Sequence, residues 1–249
     1  MTRADDDRVV HVDDHARVRI ERASPDDAAA AALLAERKRV EYESYSPVFW
    51  RVAPDATARH EPFLRFCLGS DDFTSIAARE GDALAGIAIA HHRVGPPPLA
   101  TDDAWLVDDF FVADGRWDDV GDALLAELER HAPLVVLSAR RDEPKRRVIA
   151  ARGYARAASW WVFPVEPGGE AELPAGAKAV TGPAPPVYDP GGQTALALRL
   201  DAQHVPAYTA WAAARGTVLA IVPARATDTG LEAALERAGY APASDWWAR

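Results

Sequence analysis

Trp105-Leu106-Val107-Asp108-Asp109-Phe110-Phe111-Val112-Ala113-Asp114-Gly115-Arg116-Trp117-Asp118-Asp119-Val120-Gly121-Asp122-Ala123-Leu124-Leu125 is the stretch on which the reading of the chain turns. Its first eight residues are apolar except for Asp108-Asp109, which predicts a largely buried strand. Ala113-Asp114-Gly115 supplies a turn, and from Val120 onward apolar residues return at helical spacing. A strand feeding a helix leaves the first helical amides without backbone partners, a natural seat for phosphate oxygens. Adjacent strand residues point to opposite faces. Either aspartate can therefore act as a proton acceptor in a cleft. Equally, the pair can guard an exposed sheet edge or form ion pairs.

Upstream, Val18-Arg19-Ile20-Glu21-Arg22-Ala23 alternates apolar and charged residues and predicts a strand. Ser24-Pro25-Asp26-Asp27 opens a helix, with Ser24 at the N-cap, Pro25 in the first turn and Asp27 at the positive end. That helix is expected to reach about Arg39, before the aromatic segment Tyr42 to Trp50, and a second helix covers Thr57 to Leu68. Strands at Thr74 to Ala78 and Ala83 to His91 are joined by the turn Glu80-Gly81-Asp82. Pro96-Pro97-Pro98 then breaks the chain before the strand at Trp105. Downstream come a helix (Val120 to His131), a strand (Leu134 to Ser138), a helix (about Pro144 to Arg152) and a strand (Ala155 to Phe163). The expected fold class is α/β (α+β), a mixed, mostly antiparallel central sheet with helices on both faces.

Residues 1–16 read as an acidic, flexible leader, neither signal nor transit peptide, ahead of a domain over 17–165. Residues 166–179, rich in Pro, Gly and Glu, read as a linker. Beyond the linker lies a partial repeat. Aligned without gaps, Val135–Trp161 and Ile221–Trp247 share eight identities, among them Gly153-Tyr154 with Gly239-Tyr240, Trp160-Trp161 with Trp246-Trp247, and Asp142 with Asp228. Average composition gives roughly two or three. Val94-Gly95-Pro96-Pro97-Pro98 is echoed upstream of the second copy by Thr181-Gly182-Pro183-Ala184-Pro185-Pro186. Residues 180–249 thus repeat the second half of the first domain, without its opening strands and helices.

The 249 residues carry a net charge of −10, which disfavours nucleic acid and favours cationic small molecules such as amines. No apolar run is long enough to span a membrane, and a cytoplasmic location is expected. The single cysteine, Cys67, lies in an apolar run and reads as a buried structural thiol. The seven histidines show no ligand spacing, so no metal is expected.

The stretch from Trp105 to Leu125 resembles the acyl-CoA signature of the GNAT superfamily of N-acetyltransferases, Arg/Gln-x-x-Gly-x-Gly/Ala, with Arg116 at its first position and Gly121 at its last. Asp119 stands where the middle glycine belongs. Asp108-Asp109-Phe110-Phe111-Val112 is similar to the Glu-Asp-Phe-Phe-Val strand of polyamine-type members. The resemblance spans Val18 to Phe163, with the partial echo beyond. It implies acetyl-CoA as co-substrate, pantetheine paired along Phe110, Phe111 and Val112, and phosphates on the amides of Trp117, Asp118, Asp119, Val120, Gly121 and Asp122. It further implies Asp108, then Asp109, as general base. It places Tyr42, Tyr45 and Trp50 around a small-molecule amine acceptor, where aromatic faces suit a cation; core packing is the other use for such rings. Lys145, with Arg140, Arg141, Arg146 and Arg147, can reach the phosphates or form a solvated face. Ile149 stands where the family often has a tyrosine acid. The repeat lacks counterparts of Arg116 and Gly121, so it is expected to hold no second active site and to stand in for a dimer partner, giving a monomer or weak dimer. The other reading is a catalytically weak acyl-CoA-binding or interaction module retaining the fold.

Overall fold

A computed structural model describes residues 18–92 and 104–249. The expected leader, the triple-proline break and the upstream proline echo from Val94 fall outside the described residues.

Among the described residues ten strands form one sheet, in the order β1-β2-β3-β4-β5-β10-β6-β9-β8-β7. The first five are β1 (Val18–Arg22), β2 (Phe73–Glu80), β3 (Ala83–His91), β4 (Trp105–Val112) and β5 (Leu134–Ala139). The others are β6 (Ala155–Pro164), β7 (Lys178–Gly182), β8 (Thr194–Arg199), β9 (Leu219–Arg225) and β10 (Ala241–Ala248). Among the described strands only β4–β5 and β8–β9 run parallel. The sheet is therefore mixed and mostly antiparallel, as the alternating patterns and short turns require.

Helices α1 (Ala28–Tyr45) and α2 (Ala56–Gly69) lie on one face of the first half. The backbone N–H of Ser24 donates to Asp27 Oδ2 at 2.9 Å and fixes the entry to α1. That helix continues past Arg39 to Tyr45, so Tyr42 and Tyr45 are helical. Its first two turns bury Ala28, Ala31, Ala32 and Ala35, which brings the backbone close to Ile87, Ile89 and Phe111. On the other face α3 (Asp122–Leu128) and α4 (Glu143–Ala151) cover Ala88, Phe110, Val112 and Val136. A Cβ on Gly86 would stand 2.7 Å from Val120 and 2.9 Å from Leu124, so the bare backbone of β3 admits α3 and the turn before it. The predicted helix over Val120 to His131 is shorter, because a π-helical turn, Trp117–Gly121, precedes it.

The second half contributes α5 (Val205–Ala214) and α6 (Thr229–Arg237). The two halves do not sit side by side as closed units. They exchange their last strands. β10 pairs with β5, and β6 pairs with β9. Trp246 lies opposite Leu137 and Trp160 opposite Pro223, a single offset of 86 residues relating both ladders. Ser159 and Asp245 face each other across the β6–β10 pair, so a pseudo-twofold axis passes between them. In consequence Trp247 sits in the core of the first half and Trp161 in that of the second. Trp160 and Trp246 stack across the axis at 5.6 Å.

Candidate active site

The parallel β4–β5 ladder covers only Trp105–Val107 against Leu134–Val136. There the β3–β4 register slips, with Ala90 opposite Val107 and Ile89 opposite Asp109, which leaves Asp108 as a bulge. Beyond the bulge β4 follows β3 while β5 follows β10, and the two strands open into a wedge. Its β4 wall is Asp109 to Val112.

Lys145, from the first turn of α4, reaches into this wedge. Its Nζ lies 3.4 Å from the carbonyl oxygen of Phe110 and rests on the rings of Phe110 and Trp117. The side chain is 2% exposed. Burial pushes its pKa down to about 8, Asp142 resisting and Lys38 adding to the fall. Asp142, wholly buried, caps α4 through the Lys145 amide. Its Oδ2 accepts from the Tyr42 hydroxyl at 2.8 Å and lies 3.3 Å from Lys38 Nζ. Burial, with Asp142 beside it, raises the Tyr42 pKa well above the ordinary value.

The turn after β4 has its own occupants. Trp117 folds inward, 4.9 Å from the Phe110 ring, and a Cβ on Gly121 would stand 2.7 Å from its indole. Gly121 thus leaves room for Trp117. Arg116 is bonded to Asp119 at 2.7 Å and also to Glu80. The Asp119 hydrogen bond chiefly, and Glu80 with it, raises the Arg116 pKa. Burial works to raise the Asp119 pKa, but Arg116 and the loop amides outweigh it and hold the carboxyl low. Asp118 pairs with Arg147 and Asp122 with Arg152. Val120 is buried in the core. Arg140 and Arg146 are directed to Asp245 of β10, and Arg141 is exposed.

On the α1–α2 side, Asp108 is exposed; its Oδ1 accepts from the Asp109 amide and lies 3.6 Å from His91 Nε2. Asp109 is half-buried, its Oδ1 3.3 Å from His60 Nε2. His60 Nδ1 meets Arg39 Nη1 at 2.8 Å. A guanidinium only donates, so Nδ1 is the acceptor and the proton of the neutral ring sits on Nε2, facing Asp109. Phe110 and Phe111 alternate into the two cores.

Tyr45, Tyr42 and Trp50 form a continuous aromatic run, with centroids 5.9 and 5.3 Å apart, and Tyr188 extends it at 5.1 Å from Trp50. Tyr188 belongs to the second half. Its segment docks on the α1–α2 loop through Ala53 N to Val187 O and Asp189 N to Arg51 O. Burial raises the Tyr188 pKa; Arg39 opposes the rise, and Asp109 and Asp108 add to it. Sequence reasoning missed Lys38, Arg39, His60, Asp142 and Tyr188. A partial signal existed in the spacing of Lys38, Tyr42 and Tyr45 along one helix face. Nothing in the sequence pointed to His60 or Tyr188.

The wedge between β8 and β9 differs. Leu231 stands at the position of Lys145, and the buried Tyr208 hydroxyl reaches both Ala195 O (2.9 Å) and Ile221 O (3.0 Å), stitching the strands together.

No family model and no curated protein matches the sequence. Solved structures do. A protein provisionally described as an acetyltransferase from Thermoplasma acidophilum is similar over 92% of this chain and 97% of its own, with a TM-score of 0.55 and 11% identity. One from Pyrococcus horikoshii, described in the same way, is similar over 95% and 90%, with a TM-score of 0.53 and 10% identity. A tandem GNAT protein from the clavulanic acid biosynthesis pathway is similar over 93% and 98%, with a TM-score of 0.47 and 16% identity.

Proposed function

We propose, from the premise that the chain carries the GNAT acetyltransferase fold, that it transfers an acetyl group from acetyl-CoA to a primary amine of a small molecule in a ternary complex. The observation that carries this reading is the wedge opened at the Asp108 bulge, with carboxylates at its mouth. The β4 edge at Phe110, Phe111 and Val112 would pair with pantetheine as an added strand does. Arg116 and the amides of Trp117 and Asp118 would take the phosphates. Of the other amides expected in this role, those of Gly121 and Asp122 donate to the carbonyls of Arg116 and Trp117, and those of Asp119 and Val120 to the Asp119 carboxylate. Asp108, or Asp109 backed by His60, would accept the proton as the amine nitrogen attacks the thioester carbon. The C–N bond forms, the C–S bond breaks, and the thiolate leaves. Cys67 is buried between α1, α2 and the sheet, which suits direct attack rather than an acyl-enzyme.

A second reading, an acyl-CoA-binding module with weak or no catalysis, is favoured by two observations. The Asp119 carboxylate already holds Arg116, and Lys145 with Trp117 fills the wedge. Calorimetric titration of acetyl-CoA, followed by an amine screen, separates the two. Binding with turnover that Asp108→Ala or Asp109→Asn reduces supports the enzyme; binding without turnover supports the module. Absence of binding removes both.

A further inference from the structure

Arg39 is 2% exposed, and the described residues give its guanidinium no carboxylate within ion-pairing distance. Nη1 meets the His60 ring, Nη2 donates to the Thr57 hydroxyl at 3.1 Å, and Nε has no partner. Burying a guanidinium on two neutral acceptors is costly, and burial does lower its pKa. By contrast Arg79, on the same side of the sheet, is bonded to both Glu21 and Asp27. The Arg39 cluster reaches the reaction mouth directly, since His60 bridges from Arg39 to Asp109, and Tyr188 from the second half lies in the field of Arg39 and both aspartates.

We infer that the acceptor carries a carboxylate close to its amine, as an amino acid does, and that Arg39 is the group that receives it. The inference rests on the acyl-transfer reading above. Arg39 and Asp109 are separated by the width of the His60 ring plus one contact on each side, roughly 8 Å. An α-amino acid with one hydrogen bond at each end spans about the same length, and it would lie alongside the His60 ring, which fills the line between the two groups. Its ammonium would face Asp109 and its carboxylate the unpartnered Nε–H, one tine of the fork that guanidinium groups offer to carboxylates. Tyr188 would close the site from the second half, so the acceptor pocket belongs to both copies of the repeat.

The test uses the full chain and matched pairs that differ only in the carboxylate: glycine and methylamine, phenylalanine and phenethylamine, lysine and cadaverine. Release of CoA from acetyl-CoA is followed for each. At least one amino acid should exceed its decarboxylated partner in kcat/KM by about tenfold or more. Arg39→Lys should raise KM for that amino acid by a larger factor than for its decarboxylated partner, closing the gap between the two. Equal or better use of the bare amines overturns the inference; failure of every acceptor while acetyl-CoA binds removes only the transfer reading and hands the question to the binding comparison below. Should acetyl-CoA not bind, the transfer reading falls, and binding of the same pairs to the protein alone, by calorimetry, still decides the carboxylate site. Carboxylate-dependent binding that Arg39→Lys weakens sustains it, and no such binding overturns it. The wild-type comparison needs no variant to fold.

Discussion

Asp119 replaces a glycine of the signature and lies bonded to Arg116, the residue proposed for the phosphates. Removing that carboxylate releases the guanidinium and takes a negative charge away from the pyrophosphate position. Asp119→Gly is therefore expected to tighten acetyl-CoA binding by about tenfold, near 1.4 kcal/mol, in calorimetry. An unchanged or weaker affinity would show that Arg116 does not contact the phosphates. Lys145 makes a second prediction. Its pKa, about 8 in the fold, lies below the ordinary lysine value of 10.5. Between those values the unfolded chain binds the extra proton and the folded one does not, so stability rises with pH across that window. The gain is roughly 3 kcal/mol at most. Lys145→Met removes the titrating group. The stability difference between variant and wild type, read from urea midpoints, should favour the variant at about pH 7 and shrink by about pH 10.

At the scale of elements, the exchanged strands carry the paired tryptophans, and each fills the other half's core. Trp247 donates from Nε1 to Ser138 Oγ at 2.9 Å, whereas the Trp161 Nε1 is buried without a partner. The repeat register puts Ala224 where Ser138 stands. Ala224→Ser is expected to satisfy that indole and stabilise the protein by about 1 kcal/mol. Thermal unfolding with the Ala224→Val variant as a volume control would check it. Asp245, wholly buried at the pseudo-axis, accepts from Arg140 and from the Ser159 hydroxyl, the latter at 2.7 Å. Asp245→Ala strands the buried Ser159 hydroxyl while Arg140 keeps access to water, and should cost about 2–3 kcal/mol in equilibrium unfolding. A loss under about 1 kcal/mol would mean water replaces the carboxylate freely.

For the whole molecule, exchange makes the halves interdependent. The core around Phe110 includes Trp247, and the core around Tyr208 includes Trp161, so one cooperative unfolding transition is expected. A chain ending at residue 165 would leave β5 without β10 and β6 without either of its neighbours, β10 and β9. Unpaired edges seek partners, so that chain should form a strand-exchanged dimer or aggregate in light scattering. A folded monomer would contradict the interdependence.

Much was legible along the chain because it rests on local physics. The alternation in Val18–Arg22, the turn at Gly81 and the strand–turn–helix of Trp105–Leu125 are set by neighbouring residues, and the element order followed. The Gly-Tyr and Trp-Trp pairs disclosed the repeat, since a gapless alignment needs no coordinates. What sequence alone could not decide was which strand lies beside which, because β5 accepts an antiparallel neighbour from either copy with the same hydrogen bonds. Only packing, through Trp247 and Asp245, selects the exchange. The site divides in the same way. Asp108, Asp109 and Arg116 are visible as a motif, while Arg39, His60, Asp142 and Tyr188 converge from separate elements. Their meaning arises from burial and charge at short range, which exist only once the chain has folded.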